Sequence, residues 1–313
     1  MSKRLQKVRT STNNKNLELP FYQIKEEFMT IFGNPATSEL PKVINKKPNS
    51  IDKTGKARID LDKIGVEIEE YNEGEVYKVN TNMFFQMMSN KLKEVNDLKP
   101  ERVEEVKYTV SLPIDEYMSK RKITHRQTAI EEIEKAANIL TRMRLSYKKG
   151  NKKFDYMNLF GRIRFDDDNH RKDIVIEFTP SFAFQLMGYF YDLPLLALRV
   201  DINKFPNVAP LLTHVSNLLE FHRNQNKKEK YRIFTIENLL ENCPYIPTYE
   251  DVKKTDRAYS RRIIEPFEKT MEALEEILTW EYCGSLGTPL KDDEMTKQKY
   301  KDWVKWKVKI TWI

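Results

Sequence analysis

THRQTAIEEIEKAANILTRMRLSY, residues Thr124–Tyr147, reads as one long helix running directly into a strand. Thr124 is a good N-cap and Gln127 lies three residues on, so the two can satisfy each other's orphan backbone donors as a capping box. Ile130, Ile133, Ala137 and Leu140 recur at i, i+3, i+7 and i+10 on one helical face, which Ala129, Ala136 and Met143 widen. Leu145 and Tyr147 then alternate with polar residues, as in a half-buried strand. The polar face is graded: Lys120, Arg121 and Lys122 precede the helix, His125 and Arg126 open it, and Glu131, Glu132 and Glu134 follow. Glutamates at mid-face exclude a helix lying wholly along DNA. They suit one that offers only its N-terminal end to the major groove, where backbone N–H groups and the positive dipole end add attraction for phosphate. An ordinary amphipathic helix with a solvated charged face has the same pattern, so this helix alone does not decide.

Its neighbours extend the reading. Upstream, Val106, Tyr108, Val110 and Leu112 alternate as a strand, Pro113–Ser119 starts a short helix, and Lys120–Ile123 is a tight link. Helix, short turn, helix is the geometry that presents a recognition helix. Downstream, the loop KKGNKK (Lys148–Lys153) leads into Phe154–Phe165, a turn at Asp166–His170, and a returning strand through Ile174, Ile176 and Phe178. A helix followed by a β-hairpin is a winged helix. The adjacent Asp166, Asp167 and Asp168 at a loop tip do not converge on one ion, since turns favour Asp in any case, so no metal site is expected. The same acids make this wing tip a poor phosphate contact.

The second half repeats the plan. Thr179-Pro180 caps a helix through about Tyr189, and Leu195–Asp201 connects the halves. Asn207–Arg223 is a helix, Thr235–Cys243 a short capped one, and Thr255–Leu278 a long one with Ile263, Phe267, Met271, Leu274 and Leu278 as its seam. Pro266 should kink it by removing a backbone bond. Lys253, Lys254, Arg257, Arg261 and Arg262 lead this helix, and Glu272, Glu275 and Glu276 trail it. Thr279–Cys283 is a strand, a polar loop follows, and Trp303–Ile313 returns. There Val304, Trp306, Val308, Ile310 and Trp312 alternate with Lys305, Lys307 and Lys309, giving a core wall on one face and a row of lysines on the other.

The 313 residues carry 54 Lys+Arg against 47 Asp+Glu, and 40% are hydrophobic, as in a charge-rich globular protein with room for two domains. Residues 1–60 hold 12 Lys+Arg and 6 Asp+Glu, so nucleic-acid surface in the folded part must come from local clustering. No apolar run is long enough to span a membrane, and the N-terminus is not a secretory signal. Cys243 and Cys283 make neither a disulfide framework nor a zinc site, which points to a reducing cytoplasm. Residues 1–16 read as a basic arm, Leu17–Phe32 as a short amphipathic helix, and Asn34–Asp52, with Pro35, Pro41 and Pro48, as a linker. A hairpin is expected in Ile59–Val79, turning at Asn72-Glu73-Gly74, with a helix from Thr81 to Val95. The expected organisation is α+β. A flexible basic extension (1–58) precedes two tandem winged-helix domains, 59–190 and 191–313.

RMRLSY (Arg142–Tyr147), FTPSFAFQL (Phe178–Leu186) and RRIIEPFEK (Arg261–Lys269) carry a further reading. With this architecture the chain, over residues 80–313, resembles the tandem winged-helix replication initiators of theta-replicating plasmids. The resemblance implies binding to repeated sites at an origin, opening of an adjacent A+T-rich segment, and recruitment of host helicase or initiator proteins. It also implies a homodimer switch through the first domain, no catalytic residues, and a place with the bacterial nucleoid or plasmid. DNA contacts would fall on the basic starts of the two long helices.

The residues expected on DNA are therefore Lys120, Arg121, Lys122, Thr124, His125, Arg126 and Thr128 in the first domain. In the second they are Lys253, Lys254, Arg257, Ser260, Arg261, Arg262, Lys305, Lys307 and Lys309. Arg126, Arg257 and Arg261 are assigned to base edges, since arginine on guanine is the commonest specific contact. Enzymatic chemistry is not expected. His125, His170, His214 and His222 are never two apart, so the histidine pair that would hold a nickase metal is missing, and there is no GxxxxGK[ST] phosphate loop. His214 and His222 read as core histidines. No cofactor is implied. A transcription regulator on the same fold needs the same groove contacts and stays open, as does a nickase with an unusual site.

Overall fold

The computed structural model describes residues 28–72, 77–96, 100–149, 152–153, 156–166, 173–225, 231–253, 259–284, 287–290 and 299–312, and the chain is α+β. The expected basic arm (1–16) and most of the Leu17–Phe32 helix lie outside these residues. β1 (Phe28–Gly33) stands where that helix was expected to end, and α1 (Pro35–Glu39) follows it. Asn34 caps α1 and ties distant segments together. Its Oδ1 accepts from the Ala36 backbone (2.8 Å) and from the Tyr147 hydroxyl (2.8 Å), while its Nδ2 donates to the Gln185 carbonyl (2.6 Å). Residues 28–58 are thus packed structure rather than a flexible extension. Ile31, Ala36, Leu40 and Val43 are fully buried. Pro35 opens a helix at N1, where its missing N–H costs nothing.

β2 (Ser50–Ile51), β3 (Ala57–Asp60) and β4 (Ile64–Ile68) form a meander. A hairpin in this region turns between Asp60 and Ile64, and the turn expected at Asn72-Glu73-Gly74 lies mostly outside the described residues. α2 (Val79–Val95) buries Phe84, Phe85, Met87, Met88 and Leu92. β5 (Thr109–Pro113) leads to α3 (Ile114–Arg121) and α4 (Arg126–Thr141). The long helix then feeds β6 (Met143–Lys149), as its alternation predicts. β6 does not enter the hairpin of this unit. It pairs with β4, Ile64 opposite Tyr147, and carries β7 (Lys152–Lys153) and β8 (Met157–Asn158) on its other edge. β9 (Phe160–Phe165) and β10 (Asp173–Phe178) form the hairpin, and β5 pairs with β10.

α5 (Pro180–Leu186) brings Phe182 against Phe178 (6.3 Å between ring centroids) and Phe85 (6.5 Å). β11 (Tyr189–Pro194) pairs with β1 over six residues, so the boundary expected at 190/191 falls inside a strand. This ribbon joins the two halves, with α2 packed on β1 and α7 packed on β11. After α6 (Leu196–Arg199) come α7 (Val208–Gln225), β12 (Tyr231–Thr235), α8 (Ile236–Glu241) and α9 (Tyr249–Val252). A π-helical turn, Ser260–Ile264, runs into α10 (Glu265–Glu272), then β13 (Leu278–Cys283), α11 (Tyr300–Trp303) and β14 (Lys307–Trp312).

With β6–β8 set aside in the first half and α9 and α11 in the second, the two halves share an order: helix, strand, helix, helix, hairpin. In each, the first strand pairs with the last and the last with the middle one, giving β5-β10-β9 and β12-β14-β13. The strand expected from Trp303 begins only at Lys307, because Tyr300–Trp303 is helical and Trp303 is buried against Phe267 (5.7 Å).

Candidate nucleic-acid interface

The first long helix starts later than its capping pattern predicts. Its N-cap is His125, with no side-chain cap bond, and Thr124 lies outside in the link. α3 ends at Lys122, whose left-handed backbone (φ 53°) turns the chain toward α4. A side chain in that conformation carries roughly 1–2 kcal/mol of strain, and the turn requires it. Lys122, Thr124, His125 and Thr128 are exposed.

Arg121 is not on that surface. Its side chain is 7% exposed and bonds three elements: Glu132 Oε2 on α4 (3.0 Å), Asn80 Oδ1 on α2 (3.2 Å) and the Leu198 carbonyl on α6 (2.5 Å). The Tyr117 hydroxyl donates to the same Glu132 carboxylate at 3.1 Å. Arg121 is therefore a tether inside the fold, and Glu132 is its counter-ion rather than part of a solvated acidic face. Lys120 is likewise engaged, by Glu116 (2.7 Å) and Asn90 Oδ1 (2.9 Å). Arg126 pairs with Asp115 at 2.8 Å. To reach a base edge it must exchange that carboxylate for guanine. The exposed cation at this helix start is Lys122, beside His125.

The second unit is more open. Lys253 is exposed and pairs with Glu250 at 3.0 Å; Lys254 and Arg257 lie outside the described residues. Ser260, Arg261 and Arg262 are exposed, and Arg261 makes no hydrogen bond or ion pair with any described residue. They sit on the π turn, where the Glu265 N–H bonds to the Ser260 carbonyl five residues back. Pro266 explains the wider turn. In α geometry its ring would meet the Arg262 carbonyl and its missing N–H would leave that carbonyl unpaired. The expected kink is thus a π turn followed by α10. Behind it, Phe267 and Met271 are fully buried. Glu268 is drawn toward the core, where burial pushes its carboxyl pKa up and the Tyr282 hydroxyl donates to it at 3.2 Å.

The lysine row on the last strand is not a free cationic face. β14 is the central strand of its sheet, so both neighbours crowd its outer side. Lys309 bonds Glu281 (3.1 Å) on β13 and lies over the Tyr231 ring (4.8 Å) on β12. Lys307 is half-buried, and Lys305 is exposed but precedes the strand. The alternation correctly marks Val308 and Ile310 as core. It says nothing of what covers the other face.

His214 is a core histidine. Its Nε2 lies 2.8 Å from Asn238 Oδ1, and burial pushes its pKa down to about 4 although that bond favours the charged form. The His222 side chain and His170 lie outside the described residues. Among the described residues no group of three His, Cys, Asp or Glu is placed to hold a metal ion, and no helix is long and apolar enough to cross a membrane. The turn at Asp167–His170 is outside them too.

Periodicity gave no sign of one cluster. Tyr300 of α11 stacks on Tyr249 of α9 with centroids 4.2 Å apart and planes 6° from parallel. It also meets Tyr259 edge-on at 6.1 Å, one residue before the π turn.

No family model matches the sequence, and no curated protein matches it. Among solved structures, the chain is similar to a crystal structure of selenomethionine derivatives of domains 2 and 3 of RctB. Identity there is 11% and the TM-score 0.48, covering 90% of this chain and 99% of that one. A second crystal structure of RctB domains 2–3 gives 11% identity and a TM-score of 0.37, covering 88% of this chain and 96% of that one. A likeness at these values sets no constraint on what this chain does.

Proposed function

We propose that this chain is a sequence-specific double-stranded DNA-binding protein of two tandem winged-helix units, which initiates replication at repeats in a plasmid-type origin. The repeated order of elements, with the same strand pairing in both halves, supports the winged-helix reading. The observation that carries DNA binding is the exposed Ser260-Arg261-Arg262 turn leading into α10. Arg261 makes no ion pair with any described residue, so a phosphate there meets an exposed guanidinium without a counter-ion among them. Lys122 and His125 offer a smaller equivalent in the first unit. Opening of the origin, recruitment of host helicase or initiator proteins, and a dimer through the first unit belong to the same reading. So does the absence of catalysis.

The test is selection of bound fragments from random-sequence DNA, followed by gel-shift of Arg261→Glu on the selected site. Loss of specific binding by a folded variant supports the reading; a normal shift removes this helix from the interface. Direct repeats in the selected site support initiation. A lone palindrome supports the second reading, a transcription regulator with the same groove contacts. A covalent tyrosyl adduct on supercoiled origin DNA with Mg²⁺ would overturn the non-enzymatic part.

A further inference from the structure

α11, which leads into β14, is held by two of its aromatic side chains, Tyr300 and Trp303. Tyr300 lies flat on Tyr249, at the first turn of α9, and meets the edge of Tyr259, which immediately precedes Ser260. Trp303, three residues on, is buried against Phe267 and donates from Nε1 to the Tyr282 hydroxyl at 3.2 Å. α11 therefore docks through its aromatic side chains onto the residues that carry Arg261 and Arg262. Lys299 and Lys301 flank Tyr300 in sequence, are exposed, and make no ion pair with any described residue. Among the described residues, the acids around Tyr300 include Glu237 on α8, Asp302 of α11 itself, and Glu250 and Asp251 of α9. Two are already engaged: Glu250 with Lys253, and Asp251 with the Thr248 hydroxyl (2.6 Å) and N–H (3.0 Å).

We propose that Lys299 and Lys301 are a second phosphate-binding site of this unit, and that the Tyr249–Tyr300 stack is the clamp that holds them beside the Arg261–Arg262 turn. This rests on the DNA-binding reading above. It adds a contact that groove recognition by the long helix does not require. An unclamped lysine on a long connection spends its time away from the duplex and neutralises phosphate only at an entropic cost. A lysine on a docked helical turn is pre-positioned, so its counterion release appears in the salt dependence of binding. Tyr300 contacts no phosphate in this scheme; it is a positioning residue.

The test is the slope of log affinity against log salt for the full chain on a labelled mixed-sequence duplex, which reads phosphate contacts without a known site. Each lost contact removes about 0.9 from the slope. The double variant Lys299→Gln/Lys301→Gln should lose about 1–2 from the slope, with an unchanged circular dichroism spectrum. Tyr300→Ala should lose about as much, whereas Tyr300→Phe, which keeps the stack, should match the wild type. A wild-type slope in the double lysine variant overturns the proposal even if Tyr300→Ala fails to fold. A wild-type slope in folded Tyr300→Ala overturns the clamp. If the wild-type chain itself binds no duplex, the DNA-binding reading fails instead, and with it the ground for this site.

Discussion

Arg121 Nη2 and Glu132 Oε2 lie 3.0 Å apart, with the arginine side chain 7% exposed and the glutamate's 21%. The pair closes α3 against α4 and, through Asn80 and Leu198, fixes both against α2 and α6. The last basic residue of α3 and an acidic residue along α4 are thus one structural feature of the fold.

Replacing Arg121 should therefore damage stability and leave DNA contacts intact. Arg121→Ala leaves Glu132 without its counter-ion, with only the Tyr117 hydroxyl and the Asn80 amide still donating to it, and removes the side-chain donor to the Leu198 carbonyl in a largely buried place. The expected loss is about 2–4 kcal/mol, read by urea denaturation. Affinity of the remaining folded protein for DNA should be unchanged. A fully stable Arg121→Ala that no longer binds DNA would put this residue back on the interface.

Pro266→Ala restores a backbone N–H and removes the ring that opens the turn. Ser260–Ile264 should tighten into α geometry and rotate Arg261 and Arg262 about the helix axis. Stability should hold or rise while specific affinity falls about tenfold, the worth of one good base contact at roughly 1–3 kcal/mol. Equal affinity for both proteins would show that the π turn has no part in recognition.

His214 sets a pH window. Burial holds its folded pKa at about 4, below the ordinary 6.5. The neutral ring is kept in the fold, so its contribution is complete above 6.5. As pH falls through 6.5 the unfolded chain takes up a proton that the fold refuses, and stability drops until about pH 4. The full loss is about 3 kcal/mol. Urea midpoints at neutral and mildly acidic pH should show this slope. His214→Gln, which retains a donor toward Asn238, should flatten it, and an unaltered slope would assign the acid sensitivity elsewhere.

Asn34→Ala removes the α1 cap, the partner of the Tyr147 hydroxyl and the donor to the Gln185 carbonyl at one stroke. The expected destabilisation is about 2–4 kcal/mol. Asn34→Asp keeps both acceptor roles and loses only the donor, so it should cost less. Equal urea midpoints for the two variants would show that the acceptor oxygen matters little.

The sequence by itself determined the local elements and their faces. The Ile130, Ile133 and Leu140 seam, the Thr235 cap, the Val308 and Ile310 wall and the core place of His214 all follow from side-chain period, capping chemistry and polarity, which act over a few residues. The basic stretch before α4 was legible for the same reason, while the second basic stretch lies partly outside the described residues. Which of their charges are available was decided only by the tertiary structure. Glu132 took Arg121, Asn90 took Lys120, and Glu281 and Tyr231 took Lys309, each from another element. The pairing of Phe28–Gly33 with Tyr189–Pro194 and the diversion of β6 to β4 were equally hidden. A backbone hydrogen bond carries no residue-type address, so a strand's pattern names its buried face but not its partner.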